Sequence, residues 1–491
     1  MGNSLSYILD NSSRWMGLKL NQRWKRKRVE SSSSLSDSDD EYDKTMHTPK
    51  RRKLMTTSQY IYKTLFQEGL NSDVTIMALG REWKLHKVYL CQSPYFSSMF
   101  GGSWREAEEG IISVGIEDPN ITIDALRIVF GSFYQDEIVI EPVEVIPVVA
   151  AATLFQLGSL IQQCTEIVAE TINIHTVLKY HEAALQYGLA SVQEKTKGWL
   201  LRNLMSSVQD STRHLQQINC SLMEELVASP DLVVMQTEFS VYILLKTWTF
   251  LQENIIWEGD PKECVLEAHK FFQSHSDRCF LDTTRGSQYL PTFKALRLQH
   301  LVNHHLDVEL LEADHIVPID WFYPVFKNQW YQMLRIDQGV DRGPKQLSDD
   351  EFNSQCLRCG RILLAEGQHI WRWTGFNFGL DIVVSYIGRS LRFKRNQHNG
   401  DPHHLHSASQ PNKRHLMYKL TVFSQDEQGQ QIYSTTSGLK NLSLGKKEEV
   451  KVLSLDREAK FPLFVSASFL VTTPLRFSKP GVDSGQSPAM S

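Results

Sequence analysis

The sequence predicts an α+β protein: a small mixed module first, helices after it, and strands at the C-terminal end. Three observations lead there. Period-two and helical-period apolar runs alternate over residues 58–172; helical spacing meets no competing strand signal from His175 to Leu251; and from Ile370 onward short β-branched and aromatic runs recur at roughly even intervals. At 491 residues the chain exceeds what one core supports. The reading divides it into a charged tail (1–57), the mixed module (58–172), a helical region (173–336), a polar linker (337–355), a β-rich domain (356–475) and a short tail (476–491).

Within the mixed module, Tyr60 to Phe66 predicts a short helix ended by Gly69. Val74 to Leu79 is a strand with apolar residues at every second position. Gly80 turns it into a return strand at Trp83-Lys84-Leu85. A helical stretch from His86 to Phe100 is interrupted at Ser93-Pro94, where proline suits the first helical position. Ile111 to Ile116 predicts a third strand, Ile123, Leu126, Phe130 and Phe133 a helix face, and Glu137 to Ile140 an edge strand before further helix to Ile172. In the helical region, one helix is expected from Phe293 to Leu311. Trp321, Phe322, Phe326, Trp330 and Leu334 form a stripe read as core. In the β-rich domain, Trp371 and Trp373 share one strand face and Arg372 takes the other; one face of this domain is expected to bind something. The strands together predict a sandwich or barrel.

Composition narrows the function classes. Charged residues are 22% and the net charge is only -4, so no molecule-wide field steers the chain onto nucleic acid, and no specific nucleic-acid partner is expected. No run of about 18 apolar residues predicts a membrane span. Seven scattered cysteines suit a reducing compartment. The tail carries two basic clusters, Lys25-Arg26-Lys27-Arg28 and Lys50-Arg51-Arg52-Lys53, with an acidic run from Asp37 to Asp43 between them. A polar, charge-blocked segment cannot offset its ordering entropy, and two such clusters suit an acidic nuclear-import receptor. The opening residues match the N-myristoylation pattern at Gly2, against the plain alternative of a fortuitous short motif.

Ser72-Asp73-Val74, Leu85-His86-Lys87-Val88-Tyr89-Leu90, Ser93-Pro94-Tyr95-Phe96-Ser97-Ser98-Met99-Phe100 and Phe130-Gly131-Ser132-Phe133-Tyr134, in that order and spacing, resemble the BTB/POZ domain. The resemblance implies a homodimer, with Tyr60, Ile61 and Leu65 of the first helix contributing apolar contact and Asp73 and Lys87 at charged dimer-pocket positions. It also implies a second face that holds a cullin. Trp104-Arg105-Glu106 matches the hydrophobic-any-Glu motif of cullin-binding members, giving Trp104 and Glu106 as contacts, and Tyr134 matches an aromatic contact below them. The plain readings are that Asp73 caps a turn and Tyr134 is a core aromatic. Leu222 to Val234, followed by Glu238, Val241 and Trp248, resembles the helical BACK companion of such modules.

Ile161-Gln162-Gln163-Cys164 and Trp371-Arg372-Trp373-Thr374-Gly375-Phe376-Asn377-Phe378-Gly379, added to the module's own motifs, extend the resemblance over nearly the whole chain, to the germ cell-less family. The family implies a nuclear protein of the envelope or matrix that recruits the third cullin and acts in germ-cell development, including spermatogenesis and differentiation. The expected function is therefore a non-catalytic, substrate-recruiting adaptor of a ubiquitin ligase. Its expected partners are a cullin scaffold, a second copy, an import receptor, nuclear-envelope or lamina proteins and a protein substrate the sequence does not identify. The alternative is a nuclear-envelope or chromatin-associated scaffold or corepressor without a ligase role.

Chemistry of other kinds finds no support in the motifs. Cys356-Leu357-Arg358-Cys359 is a lone Cys-x-x-Cys, short of the four ligands of structural zinc, and is read as two reduced thiols near a hairpin. His398, His403, His404 and His406 crowd a Gly-Pro loop and are read as solvated. No phosphate loop, dinucleotide fingerprint or nucleophile elbow occurs, and no cofactor or metal is expected.

Overall fold

The computed structural model describes residues 56–102, 110–210, 212–274, 278–337, 347–374, 381–395, 413–445 and 448–472. It resolves into two compact units. Among the described residues, one holds those from 56 to Thr171 with Ala183–Leu189, and the other holds Ile172–Glu182 and those from Ala190 to 472.

In the first unit, α1 (Thr57–Ile61) starts from a reciprocal cap between Thr56 and Gln59 and continues as a π-helical turn, Tyr62–Gln67. The strands β1 (Val74–Ala78) and β2 (Arg81–Leu85) form the expected hairpin, with Leu79 and Gly80 both at positive φ in its turn. β3 (Ile111–Ser113) joins β1 in parallel, giving the order β2-β1-β3. Alternation places Val74, Ile76, Ala78, Trp83 and Leu85 on the buried face. Helices α2 (Lys87–Leu90), α3 (Pro94–Gly101), α4 (Ile123–Gly131), α5 (Val145–Leu154) and α6 (Gly158–Thr171) gather around that face. Phe96, Phe130 and Phe155 meet at ring-centroid distances of 5.2 to 6.4 Å and form its centre. Ser93 caps α3 through Phe96 N–H while its hydroxyl donates to Phe155 O at 2.6 Å, so one side chain both starts a helix and ties it to the core.

The edge strand expected at Glu137 to Ile140 does not form. The segment pairs with no strand, Val139 is exposed, and the Ile138 carbonyl is satisfied by the Gln163 side-chain amide at 3.1 Å. An alternating apolar pattern needs a neighbouring strand to become sheet, and a side chain has taken that hydrogen bond here.

The second unit contains both helices and sandwich. Helices α7 (Val177–Gln186, whose residues from Ala183 on are counted with the first unit), α8 (Ala190–Asp210), α9 (Thr212–Gln217) and α10 (Cys220–Ala228) precede α11 (Glu238–Glu253). From Glu238 to Leu251 only Ile243 of α11 is not buried, as expected of a central helix surrounded on all sides. α12 (Pro261–Ser274) packs beside it. The single helix expected from Phe293 to Leu311 is instead α13 (Leu290–Lys294), a 3-10 turn at Leu298–His300 and α14 (His305–Asp314). A reciprocal cap between His304 and Asp307, with Asp307 Oδ2 accepting from the Asn303 and His304 amides, starts α14 afresh and explains the break. The stripe at Trp321 to Leu334 is core only at its start. Phe322 is buried before α15 (Tyr323–Asp337), whereas Trp330 and Leu334 face outward, so helical spacing alone mistook an exposed aromatic face for a packed one.

The stretch read as a linker ends in α16 (Asp349–Gln355), capped reciprocally by Ser348 and Glu351. Phe352 of α16 packs with Cys356 and Leu470. Beyond it lie two antiparallel four-stranded sheets. The first has the order β10-β7-β6-β5, from β5 (His369–Thr374), β6 (Asp381–Ile387), β7 (Ser390–Arg395) and β10 (Glu449–Ser454). The second has the order β4-β11-β8-β9, from β4 (Leu357–Leu363), β8 (Lys413–Gln425), β9 (Gln431–Gly445) and β11 (Leu463–Thr472). Trp371, Trp373, Val384, Phe393, Leu420, Val465 and Phe469 share the core between them, which makes this a sandwich.

Candidate partner-binding site and its supports

His86 sits between β2 and α2 and organises the face of the first unit. Its backbone amide donates to Tyr134 Oη at 3.0 Å, its Nδ1 lies 3.1 Å from the same hydroxyl, and its Nε2 lies 2.9 Å from Leu70 O. One tautomer satisfies all three: Tyr134 O–H donates to Nδ1 while Nε2–H donates to Leu70. The Tyr134 ring stacks between Phe66 and Tyr89, with centroids at 5.3 and 4.6 Å. At 3% exposure Tyr134 is a core residue, and burial raises its hydroxyl pKa far above the usual tyrosine range. The core-aromatic reading of this position therefore describes the ring in this chain: it is enclosed, and it pins His86 and α2.

Asp73 and Lys87 are brought together. The exposed Asp73 carboxylate accepts from the Lys87 backbone amide at 2.8 Å, serving an orphan donor in the first turn of α2, while Lys87 Nζ lies 5.3 Å from the Phe100 ring centroid. In the helical entry, Tyr62 and Phe66 turn inward onto Gly131, where an added Cβ would stand 3.1 and 3.2 Å from their rings. No residue of the entry is fully buried, and Tyr60 is 55% exposed. Ile61 and Leu65 are half-buried. Trp104 and Glu106, both basic clusters, Gly2, the histidines at 398–406 and residues 375–380 lie outside the described residues.

The second unit holds two buried charge clusters. At the start of α11, Glu238 is fully buried and is gripped by Arg358 of β4, Nε to Oε2 at 3.0 Å and Nη2 to Oε1 at 2.5 Å. Arg358 Nη1 also donates to the carbonyls of Val227 and Ser229, each at 2.9 Å. Arg297 gives its amide to Glu238 and its guanidinium to the Cys356 and Asn353 carbonyls. Burial alone would raise the Glu238 carboxyl. The Arg358 charge and hydrogen bond, with Arg297 behind them, outweigh it and hold the pKa below the usual range. In the same neighbourhood His300 donates to Gln355 O, and burial pushes its pKa down to about 4, leaving it neutral.

Away from β4, Lys246 reaches Asp314 at 2.8 Å, and Tyr242 and His269 complete that carboxylate's shell at 2.9 Å each. Glu238, Arg358, Lys246 and Asp314 are all buried, so both clusters are read as supports. Sequence reasoning missed them, although an arginine inside the apolar run Leu357 to Leu363 and a lysine amid the otherwise apolar face of α11 were visible signals. Cys356 and Cys359 are buried, reduced thiols, one ending α16 and the other inside β4. Among the described residues no group of three or more His, Cys, Asp or Glu could hold a metal ion, and no helix is long and apolar enough to cross a membrane.

Comparison with known proteins places this geometry. A BTB/POZ domain model matches residues 62–172. Human germ cell-less protein-like 1 is 42% identical over 440 residues, covering 89% of this chain and 85% of its own length. The Drosophila melanogaster protein germ cell-less is 43% identical over 483 residues, covering 92% and 83%. A kelch repeat and BTB domain-containing protein 4 from Pongo abelii is 28% identical over 123 residues, which is 25% of this chain.

Proposed function

Because the chain belongs to the germ cell-less family of BTB/POZ proteins, we propose that it is the substrate-recruiting adaptor of a ubiquitin ligase built on the third cullin. That the chain is a BTB adaptor or scaffold follows from the family itself; the cullin and the ligase role are the step beyond. The observation that carries this step is the motif Trp104-Arg105-Glu106, placed by the sequence directly after α3 of a BTB module. In the proposal, Trp104 and Glu106 hold the cullin, and Tyr60, Ile61, Leu65, Asp73 and Lys87 contribute to a homodimer. The second unit presents a target protein. Adaptation of this kind works by effective concentration: a target held on the same body as the cullin meets the ubiquitin-loading machinery without a diffusional search, and the transfer chemistry belongs to the partners. Import through Lys25 to Arg28 and Lys50 to Lys53 would place this activity in the nucleus, at its envelope or matrix. The relatives' names tie it to germ cells.

The test is Trp104→Ala with Glu106→Ala in the full chain. An exposed tryptophan entering a partner's pocket is a common hot spot, so the double variant is expected to lose about 2 kcal/mol or more, roughly a thirtyfold drop in affinity. Cullin should vanish from the purified complex while self-association and melting temperature stay unchanged. Retention of cullin at wild-type level would reject the motif, and would favour the scaffold or corepressor role without a ligase.

A further inference from the structure

We propose that the outer face of the β10-β7-β6-β5 sheet is a docking surface for an extended acidic segment of the recruited protein. This rests on the adaptor reading and names the chemistry of its target. The two sheets of the sandwich differ in what covers them. The outer side of β4-β11-β8-β9 is occupied within its own unit: Phe352 and Cys356 pack on Leu470 and Met417, and Arg358 of β4 is buried against Glu238 of α11. The other sheet turns its tryptophans inward and leaves its outer residues to solvent. Ile370 of β5 is 68% exposed, and the Arg392 side chain of β7 is 44% exposed.

That open face is cationic. Its described outward side chains include Arg392, Lys394 and Lys451 against a single carboxylate, Glu449. Glu449 is 4.0 Å from Arg392 and accepts from the Ser385 hydroxyl. Lys394 and Lys451 form no ion pair among the described residues. In the β10 and β7 register Glu449 stands opposite Lys394, whereas Lys451 stands directly opposite Arg392. Like charges facing each other across a strand pair destabilise a sheet, so a merely solvated face would be expected to alternate signs. An acidic strand of a partner relieves that repulsion, and the exposed Ile370 gives it an apolar contact beside the cations. A peptide fits better than a nucleic acid, because no aromatic side chain stands among the described outward residues to stack a base.

The probe is a fluorescein-labelled peptide of alternating glutamate and valine, about ten residues long, roughly enough to cross the sheet. Its binding to the full chain is followed by anisotropy at low salt. Binding is expected, at least tenfold weaker when glutamine replaces glutamate. The neutral variant Arg392→Gln/Lys394→Gln/Lys451→Gln should weaken it severalfold and the reversed variant Arg392→Glu/Lys394→Glu/Lys451→Glu at least tenfold, with circular dichroism unchanged. Absence of binding to the wild type, equal binding by the neutral variant, or equal displacement by an oligothymidine of the same charge would each overturn the proposal. Cullin co-purification, read on the same variants, is expected unchanged; loss of cullin from the wild-type preparation would instead count against the adaptor reading itself.

Discussion

Arg358→Met is expected to destabilise the second unit by about 3 to 5 kcal/mol, because it leaves the fully buried Glu238 carboxylate without its main counter-charge. Arg358 also serves two carbonyls at the end of α10, so the change strands acceptors there as well. Adding Glu238→Gln should recover part of the loss, and that recovery identifies the pair rather than the lost volume as the cause. Chemical unfolding followed by tryptophan fluorescence measures both. A cost below about 1 kcal/mol would mean the pair is solvated and holds nothing together.

The sign of the pH dependence follows from the same geometry. The folded-state pKa of Glu238 is depressed, so its stabilisation is fully present above the ordinary carboxylate pKa and is lost as pH falls through the depressed value. Asp314 behaves the same way: burial alone would raise its carboxyl, but Lys246 and His269 hold it low. His300 acts in the same direction at higher pH. Its pKa falls from 6.5 to about 4 on burial, so the unfolded chain takes up the proton first, and stability declines as pH drops through that window. Arg358→Met should flatten the acid limb of the stability profile below the ordinary carboxylate range while leaving the histidine portion in place.

Gly360→Ala is the second change expected to have a large effect. An added Cβ on Gly360 would stand 1.7 Å from the Val234 carbonyl oxygen and 2.9 Å from its carbon, both backbone atoms that no rotamer change can move. The approach is that close because Gly360 exchanges two backbone hydrogen bonds with Gln236, at 3.0 and 3.2 Å, and Gln236 itself holds a positive φ of 67°. A methyl group there forces the loop before α11 away from β4, at a cost of about 3 kcal/mol. Amide exchange at Gln236 should accelerate together with a lowered melting temperature. A variant that melts with the wild type would show that the loop does not need this contact.

These two positions also show where the sequence was legible. Periodicity and turn residues located the β1 and β2 hairpin, α3 with its Ser93-Pro94 start, and the strands of the sandwich from β5 on, because each of those signals is local, whereas β4 went unread. Even the inward pairing of Trp371 with Trp373 follows from alternation along one strand. What escaped depended on partners distant in sequence. Arg358 and Glu238 are 120 residues apart, so the arginine between Cys356 and Cys359 was given no role in the sequence reading when it is an anchor to α11. The Glu137 to Ile140 segment carries a strand's pattern but finds no strand beside it, and Trp330 carries a core residue's spacing but finds no neighbour over it. In the candidate site, Asp73 caps the Lys87 backbone amide as its turn position suggested, whereas the burial of Tyr134 came from the rings of Phe66 and Tyr89, which no motif encodes.

The measurement that bears most directly on the account is the mass, by light scattering after gel filtration, of the purified full chain mixed with the purified N-terminal region of the third cullin at micromolar concentration. One complex is expected, in which each chain of a dimer carries one cullin fragment, and it should disappear with Trp104→Ala and Glu106→Ala. Cullin eluting apart from the wild-type chain would contradict it.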